Sequence, residues 1–309
     1  MVRFIEGPIT VSVPATSANL GPGFDSLGLA LSLRDELSAE VVGDGLAVGV
    51  EGCDAEGVPR DESHLVVRAM RAAFDVMQGQ PPGLRLHCLN RIPHARGLGS
   101  SSAAIVGGIV LARSLVAGGQ LVMDDDAVFR LAAEMEGHPD NVAPAFHGGF
   151  VISGREASDF WATSSAIDPR ISAVVYVPPN PVSTEAARSL LPESVPHADA
   201  AANAGRAALL VASLAGQPEL LPLATRDYLH QDYRESAMPD SLALVRSLRA
   251  DGHAAIVSGA GPSVLVFTDG PMQPLGHWST GPASLLARCP EGWTASHLDL
   301  ETTGARVIG

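Results

Sequence analysis

The ten residues from Pro93 to Ser102 read Pro-His-Ala-Arg-Gly-Leu-Gly-Ser-Ser-Ser and lead straight into the apolar run Ala103-Ala104-Ile105-Val106. Gly97 and Gly99 free the backbone to bring N–H groups close together. Ser100, Ser101 and Ser102 each carry a hydroxyl able to meet a phosphate oxygen or a metal. A glycine turn feeding an apolar helix gathers anions, because unpaired N–H groups and the helix dipole point at one spot. The same residues also suit an ordinary Gly/Ser loop before a core helix. An absence sharpens the choice: the chain has no lysine, and its 20 basic residues are all arginine. That excludes a Walker A loop, the protein-kinase Lys–Glu pair and any lysine Schiff base. A nucleotide bound here has to be held by backbone dipoles, hydroxyls and Mg²⁺.

The elements that must position this loop follow from pattern. Ile9 to Pro14 alternates as a strand, and Gly21, Pro22 and Gly23 make Asn19 to Asp25 a turn-rich loop. Strands are predicted at 28–33, 37–42 and 84–89, the last leading into the glycine loop. Ser63 is a candidate cap for a helix over 64–77. A helix follows over 101–116, and Asp124 to Asp126 can cap another through Met135. Gly137-His138-Pro139-Asp140-Asn141 interrupts that helix, and Pro144 predicts a second break. Beyond it come a buried strand at 171–178 and a short helix from Ser183 or Thr184. Helices are predicted over 198–215, 218–229 and 242–250. Strands at 254–258 and 264–267 are joined by Gly259-Ala260-Gly261-Pro262. The polar, irregular stretch 153–168 is the natural domain boundary. Strands and helices do not alternate as a doubly wound sheet requires, so the fold class is α+β.

A chain of 309 residues suggests two domains, and 46% hydrophobic against 17% charged residues suits a compact globular enzyme. A net charge of −14 argues against nucleic-acid or anionic-membrane partners, so an anionic ligand must be captured by local features. Cys53, Cys88 and Cys289 are odd in number and far apart, which fits a reduced, cytoplasmic setting. The amino-terminal residues show no signal-peptide core, and the apolar run at 103–112 is too short to span a bilayer.

Three glycine-rich segments, Pro-Ala-Thr-Ser-Ala-Asn-Leu-Gly-Pro-Gly-Phe-Asp at 14–25, Pro-x-x-x-Gly-Leu-Gly-Ser-Ser at 93–101 and Ser-Gly-Ala-Gly-Pro-Ser at 258–263, together resemble the three signature motifs of the GHMP kinase superfamily, in that family's order. The first segment, with Glu136 to Pro144, Ser183 to Arg188, Leu229 to Arg234 and Leu298 to Ala305, is similar specifically to the homoserine kinase branch. The resemblance covers essentially residues 10 to 305.

It implies a two-domain GHMP kinase fold, with an N-terminal S5-like βαβ domain (1–166) that binds ATP, a C-terminal ferredoxin-like domain (167–309) and the active site between them. It implies transfer of the γ-phosphoryl group of ATP to the side-chain hydroxyl of L-homoserine, on the route to threonine, with Mg²⁺, and it is compatible with a homodimer. The ATP-binding residues carried over are Pro93, His94, Ala95, Arg96, Gly97, Leu98, Gly99, Ser100, Ser101 and Ser102, with Gly259 and Gly261. The metal ligands are Ser101 and a helix glutamate, Glu134, with Glu136 as its rival. The extra serine in Ser100-Ser101-Ser102 departs from the family's usual pair and blurs which hydroxyl meets the metal.

Substrate contacts are assigned to Asn19, Asp25, His138, Asn141, Thr184, Arg188 and Arg234, and catalytic roles to Asp25 and Asn141. Each also has a plain structural reading. Asn19 and Asp25 are good turn residues, Asp140 a helix cap, and the arginines ordinary surface residues. A guanidinium fork is nonetheless the best partner for homoserine's carboxylate. Without lysine, the Asp–Lys dyad of the mevalonate branch is excluded. Either Asp25 accepts or orients the hydroxyl proton, or the proton leaves on the phosphate.

Overall fold

A computed structural model describes residues 2–269 and 281–308. The first sheet is built from β1 (Ile9–Ala18), β2 (Leu27–Val42), β3 (Gly45–Gly52), β4 (Gly83–Asn90), β5 (Phe150–Glu156) and β6 (Asp159–Ser165). β2 is its spine: antiparallel to β1 along most of its length, to β5 at its start and to β4 at its end. β3 lies parallel to β4. Parallel neighbours need a crossover, which α1 (Leu65–Val76) supplies, giving the βαβ unit that the resemblance implies.

Where two short strands were predicted, at 28–33 and 37–42, β2 runs through. Its charged middle is paired from afar: Asp35 accepts the N–H groups of Arg91 (2.6 Å) and Ile92 (2.9 Å), and Arg34 donates to the carbonyls of Thr303 and Gly304. The polar stretch read as an irregular boundary is largely the β5–β6 hairpin, whose outer positions face solvent.

Helix α2 (Ser100–Leu115) is packed on all sides. A Cβ at Gly107 would lie 2.4 Å from Leu37 of the sheet, and one at Gly108 would lie 2.7 Å from the Val66 carbonyl of α1. Glycine at both positions lets the helix that follows the glycine loop sit between sheet and α1. A short α3 (Gly119–Val122) then leads to α4 (Asp125–Glu136), capped by Asp124 accepting the Ala127 N–H at 2.8 Å. Gly137 closes α4 in the left-handed region (φ 89°), and α5 (Pro139–His147) follows at once. Pro144 does not break α5. It removes the bond to the Asp140 carbonyl, and that carbonyl is accommodated against Gly28, where a Cβ would come within 1.8 Å of it.

The second sheet holds β7 (Ile171–Val177), β8 (Ala254–Val257), β9 (Val264–Asp269) and β10 (Thr294–Asp299), all antiparallel neighbours in the order β10-β7-β9-β8. Between β7 and β8 run α6 (Thr184–Ser189), α7 (His197–Gly216), α8 (Leu221–Ala224) and α9 (Pro239–Ala250), and α10 (Pro282–Leu286) precedes β10. A β-α-β-β-α-β chain in that order is the ferredoxin-like arrangement. The helix predicted over 218–229 reduces to a short turn and α8, because the Asp227 side chain takes the N–H groups of Leu229, His230 and Gln231 and bends the chain away.

The chain end then returns as β11 (Arg306–Val307) onto β1. Ile171, Ala173 and Val175 of β7 join one buried cluster with Val11, Val13 and Leu29 of the first sheet, while Val174 and Tyr176 pack with Leu242 and Val245 of α9 on the other face. Among the described residues no helix is long and apolar enough to cross a membrane.

Candidate active site

The three glycine-rich segments, far apart in sequence, are joined by hydrogen bonds. Thr16 N–H donates to the Leu98 carbonyl (3.0 Å) and Gly259 N–H to that of Ala18 (3.1 Å). The Ser258 hydroxyl meets both the Gly97 carbonyl (2.7 Å) and the Ser17 hydroxyl (2.9 Å). At Gly97 (φ 71°) a Cβ would fall 2.2 Å from the Ser258 carbonyl, and at Gly99 (φ 70°) one would fall 1.9 Å from the Thr16 hydroxyl. Both glycines are therefore demanded by conformation and by space. The α2 ladder begins with Ala103 N–H to the Gly99 carbonyl (2.8 Å), so the amides of Ser100, Ser101 and Ser102 lie outside it, at the helix's positive end.

Beside that helix end is a cavity of about 280 Å³. It brings together Asn19, Ala95, Gly97, Gly99, Ser100, Ser101, His138, Asn141, Thr184, Arg188 and Arg234, with Glu136, Asp140, Ser183 and Ala260. A second cavity of about 310 Å³ shares Ser100 and Ser101 and continues past Val58, Pro59, His64, Leu65, Asn90 and His94. A larger one, about 640 Å³, lies behind the 225–232 segment and touches none of the glycine segments.

Arg234 is fully buried, 1% exposed. Its Nη1 donates to the Gly259 carbonyl and to His230 Nδ1, both at 3.1 Å, and its Nε has no partner. Burial, and then the neighbouring Arg188 charge, pull its pKa down to about 10. Arg188 forks onto Asp25 with contacts of 3.0 and 2.5 Å, and this hydrogen bonding raises its pKa against the opposing effect of burial. Both guanidinium groups sit over the Phe24 ring, 5.4 Å (Arg188) and 5.8 Å (Arg234) from its centroid. The Asp25, Asp140 and Asp227 carboxylates all bear on these two cations, but only Asp25 is hydrogen-bonded, to Arg188, and the buried Arg234 Nε has no partner.

Asn19 (φ 65°) ties the loops together: its Nδ2 donates to the Gly259 carbonyl (2.9 Å) and its Oδ1 accepts the Asp25 N–H (3.0 Å). Asn141 Oδ1 accepts the Thr16 hydroxyl (2.8 Å), so what Asn141 offers the cavity is its amide nitrogen. His138 Nδ1 lies 3.1 Å from Asp140 Oδ1. Burial lowers the His138 pKa, but the bond and charge of Asp140 outweigh it and the net shift is upward. Ser183, not Thr184, caps α6, accepting the Ala186 N–H at 3.1 Å and leaving the exposed Thr184 on the cavity rim.

Some residues of the glycine loop turn elsewhere. Arg96 donates to the carbonyls of Pro178, Pro179 and His94, and Leu98 is buried in the core. His94 sits against Asn90 at the edge of the second cavity. Gly259 and Gly261 act through their backbone, with the Gly259 carbonyl holding Asn19 and Arg234.

The expected metal pair of Ser101 and Glu134 is not brought together. Ser101 and Ser102 both donate to Glu136, to Oε2 and Oε1 respectively, at 2.8 Å each. Glu134 is exposed on α4, because two residues of helix amount to a rotation of about 200°. A serine hydroxyl and a carboxylate are the hard oxygens that Mg²⁺ takes alongside phosphate oxygens and water. Among the described residues no group of three or more His, Cys, Asp or Glu side chains is gathered for a metal, so those other oxygens would complete the shell. Asp140 and His230 were not legible as site residues, since only the fold shows that one lines the cavity and the other holds Arg234.

Residues 64–149 match the family described as GHMP kinases N terminal domain. A homoserine kinase of Streptomyces avermitilis is 53% identical over 306 residues, 99% of this chain and 97% of that one. The crystal structure of a homoserine kinase from Cytophaga hutchinsonii superposes with a TM-score of 0.84 at 24% identity, covering 99% of both chains. The L. major mevalonate kinase in complex with R-mevalonate has a TM-score of 0.71 at 16% identity, covering 98% of this chain and 100% of that one.

Proposed function

This chain belongs to the homoserine kinase family of the GHMP kinases, and from that membership we propose how the cleft works. It transfers the γ-phosphoryl group of ATP to the side-chain hydroxyl of L-homoserine, giving O-phospho-L-homoserine and ADP, on the route to threonine. The observation that carries this reading is the buried, incompletely paired Arg234 beside Arg188, a carboxylate reader next to a glycine-capped helix terminus. The lobes are 1–166 and 167–309, supported by two sheets, one built from 9–165 with the returning β11 at its edge and one from 171–299.

The ATP phosphates lie on the amides of Ser100–Ser102, with the nucleoside in the cavity past Val58 and His64. The homoserine carboxylate meets Arg188 and Arg234. Its ammonium group is assigned to Asp25, which is bound to Arg188 and is not among the cavity-lining residues, while His138, Asn141 and Thr184 fix the remaining polar atoms. Ser101 and Glu136 would hold Mg²⁺, which when bound neutralises charge on the phosphate oxygens. The substrate oxygen attacks the γ-phosphorus in line, the bond to the β-phosphate oxygen breaks, and the hydroxyl proton leaves. Both Asp25 oxygens are engaged by Arg188, which favours departure of that proton on the phosphate, with Asp25 and Asn141 orienting. A loose transition state asks little of a base.

A coupled ADP-release assay over a panel of alcohols tests this. L-homoserine is the expected substrate, and 3-aminopropan-1-ol, which lacks the carboxylate, should show kcat/KM at least about tenfold lower. Equal turnover of the two removes the carboxylate reading. For the nucleotide, Gly99→Ala adds a methyl against the Thr16 hydroxyl at a positive φ. Calorimetric titration with a non-hydrolysable ATP analogue should show affinity weakened on the order of tenfold, since left-handed backbone costs a residue with Cβ about 1–2 kcal/mol. Unchanged affinity puts the phosphates elsewhere.

A further inference from the structure

We propose that His230 is a positioning residue for substrate recognition: as the neutral Nε2–H tautomer, it holds the Arg234 guanidinium in place through Nδ1. The proposal rests on the reading of Arg234 as a carboxylate contact. The tautomer follows from the partners alone. His230 Nε2 lies 2.7 Å from the Gly21 carbonyl, which can only accept, so Nε2 carries the proton. His230 Nδ1 lies 3.1 Å from Arg234 Nη1, which can only donate, so Nδ1 is bare.

The other groups facing the ring agree with a neutral imidazole. Its flat neighbour is Phe24, 5.2 Å between centroids, which also lies under Arg234. Asp227 approaches Nε2 at 3.6 Å, but its oxygens already take the backbone N–H groups of residues 229–231. Burial keeps the imidazole pKa below its ordinary value despite that carboxylate. A long arginine side chain has many rotamers to lose on binding. Anchoring Nη1 between His230 and the Gly259 carbonyl removes that loss before the substrate arrives.

The rival is a histidine that merely fills the core behind the Gly21 turn. Two variants separate the halves of the ring. His230→Asn keeps an acceptor near Nδ1 and loses the Nε2 donor. His230→Gln keeps a donor near Nε2 and loses the acceptor for Arg234. In His230→Gln, KM for L-homoserine should rise about tenfold, with kcat and KM for ATP within about twofold of wild type. His230→Asn should leave KM for L-homoserine within about threefold of wild type. In an Arg234→Leu background, His230→Gln should add no further rise.

Equal KM changes in the two variants, in step with thermal midpoint, overturn the proposal. A silent His230→Gln beside a damaging Arg234→Leu sinks the His230 role alone, whereas a silent Arg234→Leu sinks the carboxylate reading beneath it. The wild-type enzyme gives a measurement independent of variant folding. Nitrogen-15 NMR of labelled histidine should show His230 neutral with the proton on Nε2, and an Nδ1–H or doubly protonated ring overturns the proposal.

Discussion

In Arg234→Leu, kcat/KM for L-homoserine is expected to fall roughly 30- to 1000-fold, the equivalent of about 2–4 kcal/mol for losing a charge-assisted contact to a buried carboxylate. The thermal midpoint should fall modestly: the Gly259 carbonyl keeps its bond from Asn19, but the buried His230 Nδ1 is left without its donor. ATP-analogue affinity without amino acid should change little. Arg234→Lys should not rescue fully, because an ammonium group cannot copy the planar fork. Arg188→Leu should cost less, as Arg188 is partly exposed and already paired with Asp25. Unaltered kinetics in Arg234→Leu would mean that the carboxylate binds elsewhere.

Glu136→Gln should lower kcat by on the order of 10²–10³, the scale of removing one electrostatic element aimed at transferring charge. Glutamine keeps the shape but has one accepting oxygen for two serine hydroxyls and no charge for a cation. Glu134→Gln, on the solvent side of α4, should turn over like wild type. The readout is steady-state kcat against Mg²⁺ concentration, with circular dichroism confirming the fold. The reverse ranking of the two variants would return the ligand role to Glu134.

The glycine segments were legible because their chemistry is local: residue type alone says where a backbone turns and where N–H groups gather. The α+β class followed from pattern, and the two sheet units from the family resemblance. What stayed hidden depends on partners distant in sequence. Charged Arg34-Asp35-Glu36 read as a break between strands until Asp35 found the amides of Arg91 and Ile92. Glu134 and Glu136 stood as rivals on one helix because its phase depends on distant packing partners, and phase decides which carboxylate meets the serines. Arg96 was carried over as an ATP-binding residue of the loop, yet its guanidinium is spent on Pro178 and Pro179. His230 lies in the Leu229–Arg234 segment that carries the resemblance, but nothing local shows its role, because its carbonyl partner Gly21 is 209 positions away.

The apolar cluster that runs unbroken from β1 and β2 into β7 opposes a clamshell motion. Opening the cleft as a rigid-body hinge would tear that cluster, strip β11 from β1 and break the Ser258 and Gly259 bonds to β1 and the glycine loop. Interiors packed this way resist continuous deformation. The capped, largely exposed turn of α6, which carries Thr184 and Arg188, is the part of the second lobe at the cavity rim. Binding energy then goes into orienting two small reactants on a stationary wall, and little of it into moving one half of the molecule against the other.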